Sequence, residues 1–367
     1  MIENIYKKFL KRKKQKPFSA WQIELTTRCP LKCKMCIRSG SVDWQSKDMA
    51  FEDFKKIVPY LKDVDNVILE GWGESLLYNH LLECIQMVKK EGPQVGFVTS
   101  GKGLTENRIS ELIEAGIDFI GFSIAGVNPE THEKIRVNSS LSEILNAIRF
   151  FIEEKRRRRV DCPKIHFVFL MLKDNIDEIP KLPAFAKSVG VYEIFLTNII
   201  HITNYMQDLQ KVFSYREDVQ CFDKLIKDAE INAKRLGIKL KRPSLFPRNV
   251  AICEENPIKN LYISSNGEVS PCVYLNPPLE SPFKRIFYEE EHLINRVSFG
   301  NIFKGPFLEI WNKDDYINFR NNFIAREKEF RNFSFSLLNT GSSKLLKEVK
   351  ITDPPLPCLT CHKMLGF

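Results

Sequence analysis

The residues with the clearest chemical capacity are Cys29, Cys33 and Cys36, set at C-x3-C-x2-C spacing on one short loop. They follow an apolar-polar run, Trp21-Gln22-Ile23-Glu24-Leu25, that reads as a strand. Three thiolates on a tight loop can hold three irons of a [4Fe–4S] cluster. The fourth iron then has no protein ligand, an open position of the kind found at catalytic metals. A disulfide pair would leave one thiol over, and ten cysteines in 367 residues is not the density of a small secreted scaffold. A structural zinc site would need a fourth Cys or His nearby, and the next are His80 and Cys84. A second group is Cys253, Cys272, Cys358 and Cys361, ending in a C-x2-C pair at the C-terminus. Four such thiols suit a fully ligated [4Fe–4S] cluster or tetrahedral zinc, and spacing alone leaves both open. Cys84, Cys162 and Cys221 fit neither group and read as buried thiols.

Regular elements must hold these loops. Strand-like runs at 65–70, 94–99, 119–125, 164–172 and 191–197 alternate with helical periods at 51–61, 76–90, 106–115, 141–154 and 176–189. Gly116 is a helix stop, and Asn175 precedes a helix that carries a proline pause. Such alternation implies a parallel sheet with right-handed crossovers. The expected fold class is α/β: a partial (β/α)6 TIM-type barrel with a small C-terminal α+β domain. Chemistry in parallel barrels sits at the C-terminal strand ends, where each motif falls. After Gly237 the pattern changes. Pro243, Pro247 and Pro257 punctuate it, and Ser265-Asn266-Gly267 turns a hairpin between 261–264 and 268–270. The expected organisation is a basic arm over 1–17, a core domain over 18–235 and a second domain over 236–367. Ser, Asn, Thr and Gly accumulate between Phe330 and Lys350, which reads as a loop returning the last two cysteines.

Composition is that of a globular protein, with 43% apolar and 28% charged residues and a net charge of +9. Much of that charge sits at Lys7 to Lys16 and Arg156 to Arg159, which read as solvated faces. The longest apolar run is far below the roughly 18 residues that span a bilayer, and the N-terminus lacks the apolar core of a signal peptide. The expected location is cytoplasmic, where thiols stay reduced. No membrane or nucleic-acid partner is expected.

The C-x3-C-x2-C loop after a first strand resembles the radical S-adenosylmethionine (radical SAM) superfamily. Two further segments are similar to that family's pattern: Gly71-Trp72-Gly73-Glu74, and Phe122-Ser123-Ile124-Ala125-Gly126 followed by Glu130-Thr131-His132-Glu133-Lys134-Ile135-Arg136. The resemblance implies that Cys29, Cys33 and Cys36 hold a [4Fe–4S] cluster whose open iron chelates SAM. An electron then breaks the sulfonium C–S bond, and the resulting 5′-deoxyadenosyl radical abstracts a substrate hydrogen. It implies that Gly71, Gly73 and Glu74 serve the amino group of SAM, that Ser123 and Asn175 line its site, and that Arg136 pairs with its carboxylate through a fixed donor fork. Three positions depart from the pattern: Met35 for an aromatic residue, Ser75 for proline and Ala125 for an acid. Cys253…Gly267-x4-Cys272, Phe299-Gly300-Asn301-Ile302-Phe303 and Leu308-Glu309-Ile310-Trp311 resemble the SPASM and twitch extensions of radical SAM enzymes. With the chain ending shortly after Cys361, one auxiliary [4Fe–4S] cluster on Cys253, Cys272, Cys358 and Cys361 is expected.

The expected function is a radical SAM enzyme acting in peptide or protein modification or in cofactor maturation, including that of a tungsten oxidoreductase. Dehydrogenation or rearrangement of a small sugar-like molecule is the alternative, and a non-catalytic iron–sulfur or zinc scaffold is another. Expected partners are SAM, a reducing donor such as ferredoxin or flavodoxin, and a peptide, protein or small-molecule substrate. Asn198, His201 and Tyr205, after the sixth strand, are the substrate-side candidates.

Overall fold

The computed structural model describes residues 16–216, 220–340 and 351–367. Residues 1–15 of the expected basic arm and the side chain of Cys221 lie outside this range. Six strands alternate with helices as the sequence pattern requires. β1 (Phe18–Ile23), β2 (Val64–Ile68), β3 (Gln94–Thr99), β4 (Phe119–Ile124), β5 (Lys164–Met171) and β6 (Glu193–Asn198) pair in parallel in this order. Many of their side chains, among them Trp21, Val67, Phe97, Phe122, Phe167 and Phe169, are fully buried, and Trp21, Phe122 and Phe167 pack against helical residues Phe307, Phe151 and Phe185. The crossover helices Leu81–Glu91, Glu106–Ala115 and Leu141–Arg158 cover the sheet.

Local signals set the helix ends. The Thr105 side chain accepts from the Arg108 N–H, and Gly116 closes that helix at φ 88°. Ser140 caps the helix that ends at Arg158. Pro180 interrupts the pattern after Asn175, so a 3-10 turn over Ile176–Lys181 precedes the helix Leu182–Ser188. The terminal arginines of the long helix are paired: Arg157 with Glu154, and Arg158 with Glu154 and Glu114.

The sheet continues at both edges. The helix Gln220–Leu236 leads to β7 (Lys239–Lys241), which pairs in parallel with β6. The expected division at 235/236 therefore falls before the last parallel strand on that side. On the other side, β8 (Asn260–Ile263) pairs in parallel with β1, Trp21 opposite Leu261. β9 (Glu268–Ser270) folds back on β8 through the expected turn. A separate antiparallel hairpin, β10 (Phe283–Phe287) with β11 (Glu290–Ile294), follows, and β12 (Gly300–Asn301) pairs with β9. The β8–β9 hairpin thus belongs to the same ten-stranded sheet as the core, and β10–β11 form a sheet of their own.

Two sequence expectations need correction. The segment from Phe330 to Thr340 is not a loop but the end of a helix over Asp314–Thr340, and 341–350 lie outside the described residues. Tyr316, Arg320, Phe323 and Arg326 recur at helical spacing and are buried, and this stripe outweighs the small polar residues downstream. Cys84 is fully buried, but Cys162 is only half-buried, since it lies in the connection ahead of β5 rather than on a packed face.

Candidate functional site

The loop of Cys29, Cys33 and Cys36 leaves the C-terminal end of β1 and is gripped from two sides. On one side the Glu74 N–H donates to the Arg28 carbonyl at 2.8 Å. Gly73 lies so close that a Cβ there would stand 2.2 Å from the Thr26 carbonyl oxygen. A Cβ on Gly71 would stand 2.4 Å from Glu24 Oε1, so the approach needs both glycines. On the other side the Lys32 and Lys34 N–H groups donate to the carbonyls of Val137 and Ile135, at 2.9 and 3.1 Å. Those two residues flank Arg136. The structure thus brings Gly71, Gly73, Glu74 and Arg136 to the cysteine loop.

Other side chains keep these pieces in place. The Glu74 carboxylate accepts from Thr99 Oγ1 at 2.8 Å, the Ser100 N–H at 2.8 Å and Ser100 Oγ at 2.7 Å, which locks its loop to the end of β3. Ser75, in the place of proline, donates to the Leu69 carbonyl at 2.5 Å and opens a 3-10 turn. His132 is fully buried. It receives the Ala125 N–H at 3.2 Å and meets Ser139 Oγ at 3.0 Å, and its backbone carbonyl accepts from the Arg136 N–H. Burial pushes the His132 imidazole down to about 3, so it stays neutral. Ser123 is half-buried on β4. Asn175 is buried and engaged with backbone: its Oδ1 accepts from the Leu172 N–H, and its Nδ2 donates to the carbonyls of Ala125 and Leu170. It ties the ends of β4 and β5 together.

Sequence reasoning missed Glu24, Thr99, Ser100 and Arg38. Glu24 directly follows β1 and is buried; it accepts from the Trp72 N–H at 2.8 Å and the Ser265 N–H at 3.2 Å. Burial pushes its carboxyl above the usual range. One side chain therefore holds both the Gly71–Glu74 loop and the turn of the β8–β9 hairpin. An acidic residue at the end of an otherwise apolar strand was the available signal.

The electrostatics of the loop fit an iron-bound anion. Burial pushes the Cys29 thiol up to about 11 and raises that of Cys36, and Cys33 adds to both shifts. Arg38 opposes both, and Arg136 opposes that of Cys36. Thiols crowded in this way become thiolates together when a cation draws them. The Nε groups of Arg38 and Arg136 are buried with no partner among the described residues. Unmet donors beside the loop suit the carboxylate of a bound SAM.

The second set is also drawn together. Cys253 stands before β8, Cys272 after β9, and Cys358 and Cys361 in the tail, where the Cys361 N–H donates to the Cys358 carbonyl. All four share one packed cluster with Leu275, Phe283, Ile294 and Phe323. Burial pushes the Cys253 thiol up to about 12, and Cys361 contributes to that shift. Burial likewise raises Cys272, as do Cys253, Cys358 and Cys361. Four buried thiols whose thiolate forms would repel one another suit a fully ligated cluster, whose iron offsets that charge. No three His, Cys, Asp or Glu among the described residues close around a point as they would on one metal ion. A cubane instead takes one thiolate at each iron.

Of the substrate-side candidates, Asn198 and His201 are buried at the open end of β6, while Tyr205 is exposed at the start of the short helix Tyr205–Leu209. Asn198 Oδ1 and both ring nitrogens of His201 have no partner among the described residues. His201 packs against Trp72 at 5.1 Å, Phe283 at 5.4 Å and Tyr274 at 6.4 Å between ring centres. It therefore lies where the Gly71–Glu74 loop meets the C-terminal part.

Comparison with known proteins agrees with this geometry. Residues 23–186 match the radical SAM superfamily, and residues 253–334 match the SPASM iron–sulfur cluster-binding domain. The chain is 25% identical over 305 residues to the tungsten-containing aldehyde ferredoxin oxidoreductase cofactor-modifying protein of Pyrococcus furiosus, covering 81% of this chain and 82% of that one. It is 33% identical over 120 residues to the PqqA peptide cyclase of Rhizobium meliloti, 32% of each chain. The fold is similar to that of Streptococcus suis SuiB bound to S-adenosylmethionine, with a TM-score of 0.61 at 16% identity over 87% of this chain and 72% of that one. Among the described residues no helix is long and apolar enough to cross a membrane.

Proposed function

We propose that this chain, which belongs to the radical SAM superfamily and carries a C-terminal SPASM iron–sulfur cluster-binding domain, uses SAM to take a hydrogen atom from a substrate during cofactor maturation for a metal-dependent oxidoreductase. The observation that carries the SAM-dependent part is the convergence of Gly71–Glu74 and Ile135–Val137 on the cysteine loop. The long alignment with the Pyrococcus furiosus cofactor-modifying protein favours this substrate class. Peptide modification is the second reading, favoured by the shorter likeness to the PqqA peptide cyclase.

Cys29, Cys33 and Cys36 would hold the cluster that, when bound, supplies the electron for cleaving the sulfonium C–S bond of SAM. Arg136 and Arg38 would receive the SAM carboxylate through their unmet donors. Gly71 and Gly73, whose loop packs tightly against Glu24 and Thr26, would offer its backbone to the amino group. Asn198 and His201 would face the substrate, since a neutral imidazole with two free nitrogens can donate one hydrogen bond and accept another. Burial keeps His201 neutral by pushing its imidazole well below the usual value. Cys253, Cys272, Cys358 and Cys361 would hold the auxiliary cluster, and a ferredoxin or flavodoxin would reduce the system.

The test is anaerobic reconstitution followed by reduction in the presence of SAM. Release of 5′-deoxyadenosine is expected, with a yield that rises when the immature oxidoreductase cofactor is added. Stoichiometric iron with no 5′-deoxyadenosine would instead point to a non-catalytic scaffold.

A further inference from the structure

Two guanidinium groups lie beside the auxiliary cysteines, and both are buried: Arg285 on β10 at 2% exposure and Arg326 on the Asp314–Thr340 helix at 7%. Every hydrogen bond they make among the described residues goes to a backbone carbonyl or a hydroxyl, never to a carboxylate. Arg285 donates to the Pro357 carbonyl at 3.0 Å, to Thr360 Oγ1 at 3.5 Å and to the Tyr274 carbonyl at 3.4 Å. Arg326 donates to the carbonyls of Ala251 at 3.0 Å, Val250 at 2.9 Å and Thr352. Most of these acceptors flank the cysteines themselves: Pro357 and Thr360 adjoin Cys358 and Cys361, Tyr274 follows Cys272, and Ala251 precedes Cys253. The charge of both arginines reaches Cys358.

Other nearby charges are already balanced or engaged. Lys363 pairs with Glu254 at 3.0 Å and Glu255 at 3.3 Å. The carboxylates of Asp353 and Glu329 lie near Arg326 and offset part of its charge, and Glu329 also accepts from the N–H and hydroxyl of Thr352. Carbonyl dipoles soften the burial of a cation but do not cancel its charge. Two such cations in one packed shell, neither hydrogen-bonded to a carboxylate, mark a place where negative charge belongs.

We propose that Arg285 and Arg326 are the counter-charges of the auxiliary iron–sulfur group and hold its reduction potential above that of the group at Cys29, Cys33 and Cys36. A cluster with four thiolate ligands is anionic, and reduction adds one more negative charge. Buried cations therefore stabilise the reduced form more than the oxidised one. The arginines beside the first loop differ in kind. Arg38 and Arg136 each keep an unmet buried donor and so await a ligand, whereas Arg285 and Arg326 have acceptors from the protein and act as fixed charges. The inference rests on Cys253, Cys272, Cys358 and Cys361 being the ligands.

The experiment is an EPR-monitored redox titration of the reconstituted full chain. The auxiliary signal is the one that added SAM leaves unchanged. Arg285→Gln and Arg326→Gln should each shift the reduced-to-oxidised ratio about tenfold toward oxidised, equivalent to about 59 mV for a one-electron couple. Arg285→Lys and Arg326→Lys keep the charge but lose the fork, and should stay within about threefold of the parent protein. An unmoved potential in the Gln variants, or equal shifts in the Gln and Lys pairs, overturns the inference. Should the Gln variants shed their iron, the parent protein decides: an auxiliary potential above that of the SAM-sensitive group supports the inference, and one at or below it overturns it. A parent protein with no SAM-insensitive iron–sulfur signal removes the ligand assignment, and the inference falls with it.

Discussion

Cys29, Cys33 and Cys36 meet along a single loop, whereas Cys253, Cys272, Cys358 and Cys361 are gathered from a loop, a hairpin end and the tail. The first set is held by backbone: glycines that admit a neighbouring strand end, and N–H groups that donate across to Ile135 and Val137. The second is held by long side chains, Arg285 and Arg326, that reach carbonyls beside the cysteines. The first keeps unmet donors at Arg38 and Arg136, and the second has its donors met. One site is thus arranged to receive a small molecule, and the other to enclose a group. The difference follows from covalent distance: a local loop needs only steric room, while distant segments need directional bonds to bring them together.

The largest expected effects separate the sites outright. Changing Cys29, Cys33 and Cys36 to Ala should abolish 5′-deoxyadenosine release and leave the auxiliary iron in place, as read by metal analysis. Removing Cys358 and Cys361 should take away the auxiliary iron and expose the C-terminal part to limited proteolysis, while the SAM-sensitive EPR signal persists. Loss of both signals from either variant would mean that the two sites are one folding unit. Next comes Gly73→Ala. Its new methyl group would press on the Thr26 carbonyl, and overpacking of this kind costs about 1–3 kcal/mol. The variant should unfold at a lower temperature and cleave SAM poorly. A fully active, equally stable protein would show that the loop can move aside.

Arg136→Ala should raise the SAM concentration needed for half-maximal cleavage about tenfold to a hundredfold, the loss of a charge-assisted pair worth ~1.5–3 kcal/mol. Arg38→Ala should act in the same direction, and equilibrium SAM binding measures both. The smallest effect concerns Glu70, which lies between the sites and feels both Glu74 and Glu255. Burial, more than those neighbours, pushes its carboxyl up to about 8. In the folded SAM-free protein it keeps a proton that the unfolded chain gives up, so stability should fall as pH rises from the usual carboxylate range toward 8. Glu70→Gln should flatten that slope in thermal melts. An unchanged slope would mean that the carboxyl is better solvated than its burial suggests.

Much of the first site was legible because its information is local. The cysteine spacing and the Gly-x-Gly-Glu run each occupy one loop, the Thr-His-x-x-Ile-Arg stretch one short helix and its cap, and alternating apolar periods placed them after strand ends. Glu24 was not legible, because its partners Trp72 and Ser265 lie on segments that only the folded sheet brings near. Arg285 and Arg326 were hidden for the same reason: in sequence they stand among other cations, and only burial separates them from a solvated face. The Asp314–Thr340 helix was misread downstream of Phe330, since composition there outweighed a buried stripe upstream.

The pairing of β8 with β1 has a consequence for how the chain is made. Ala20 and Asn260, whose backbone and side chain join across this edge, lie 240 residues apart. During synthesis the first strand emerges early and its outer edge stays open until most of the chain has left the ribosome. An open edge of this kind is a template for wrong partners. Cys358 and Cys361 are made long after Cys29, Cys33 and Cys36, so the order of translation itself separates the two cysteine sets: the first loop is complete before the second set can assemble.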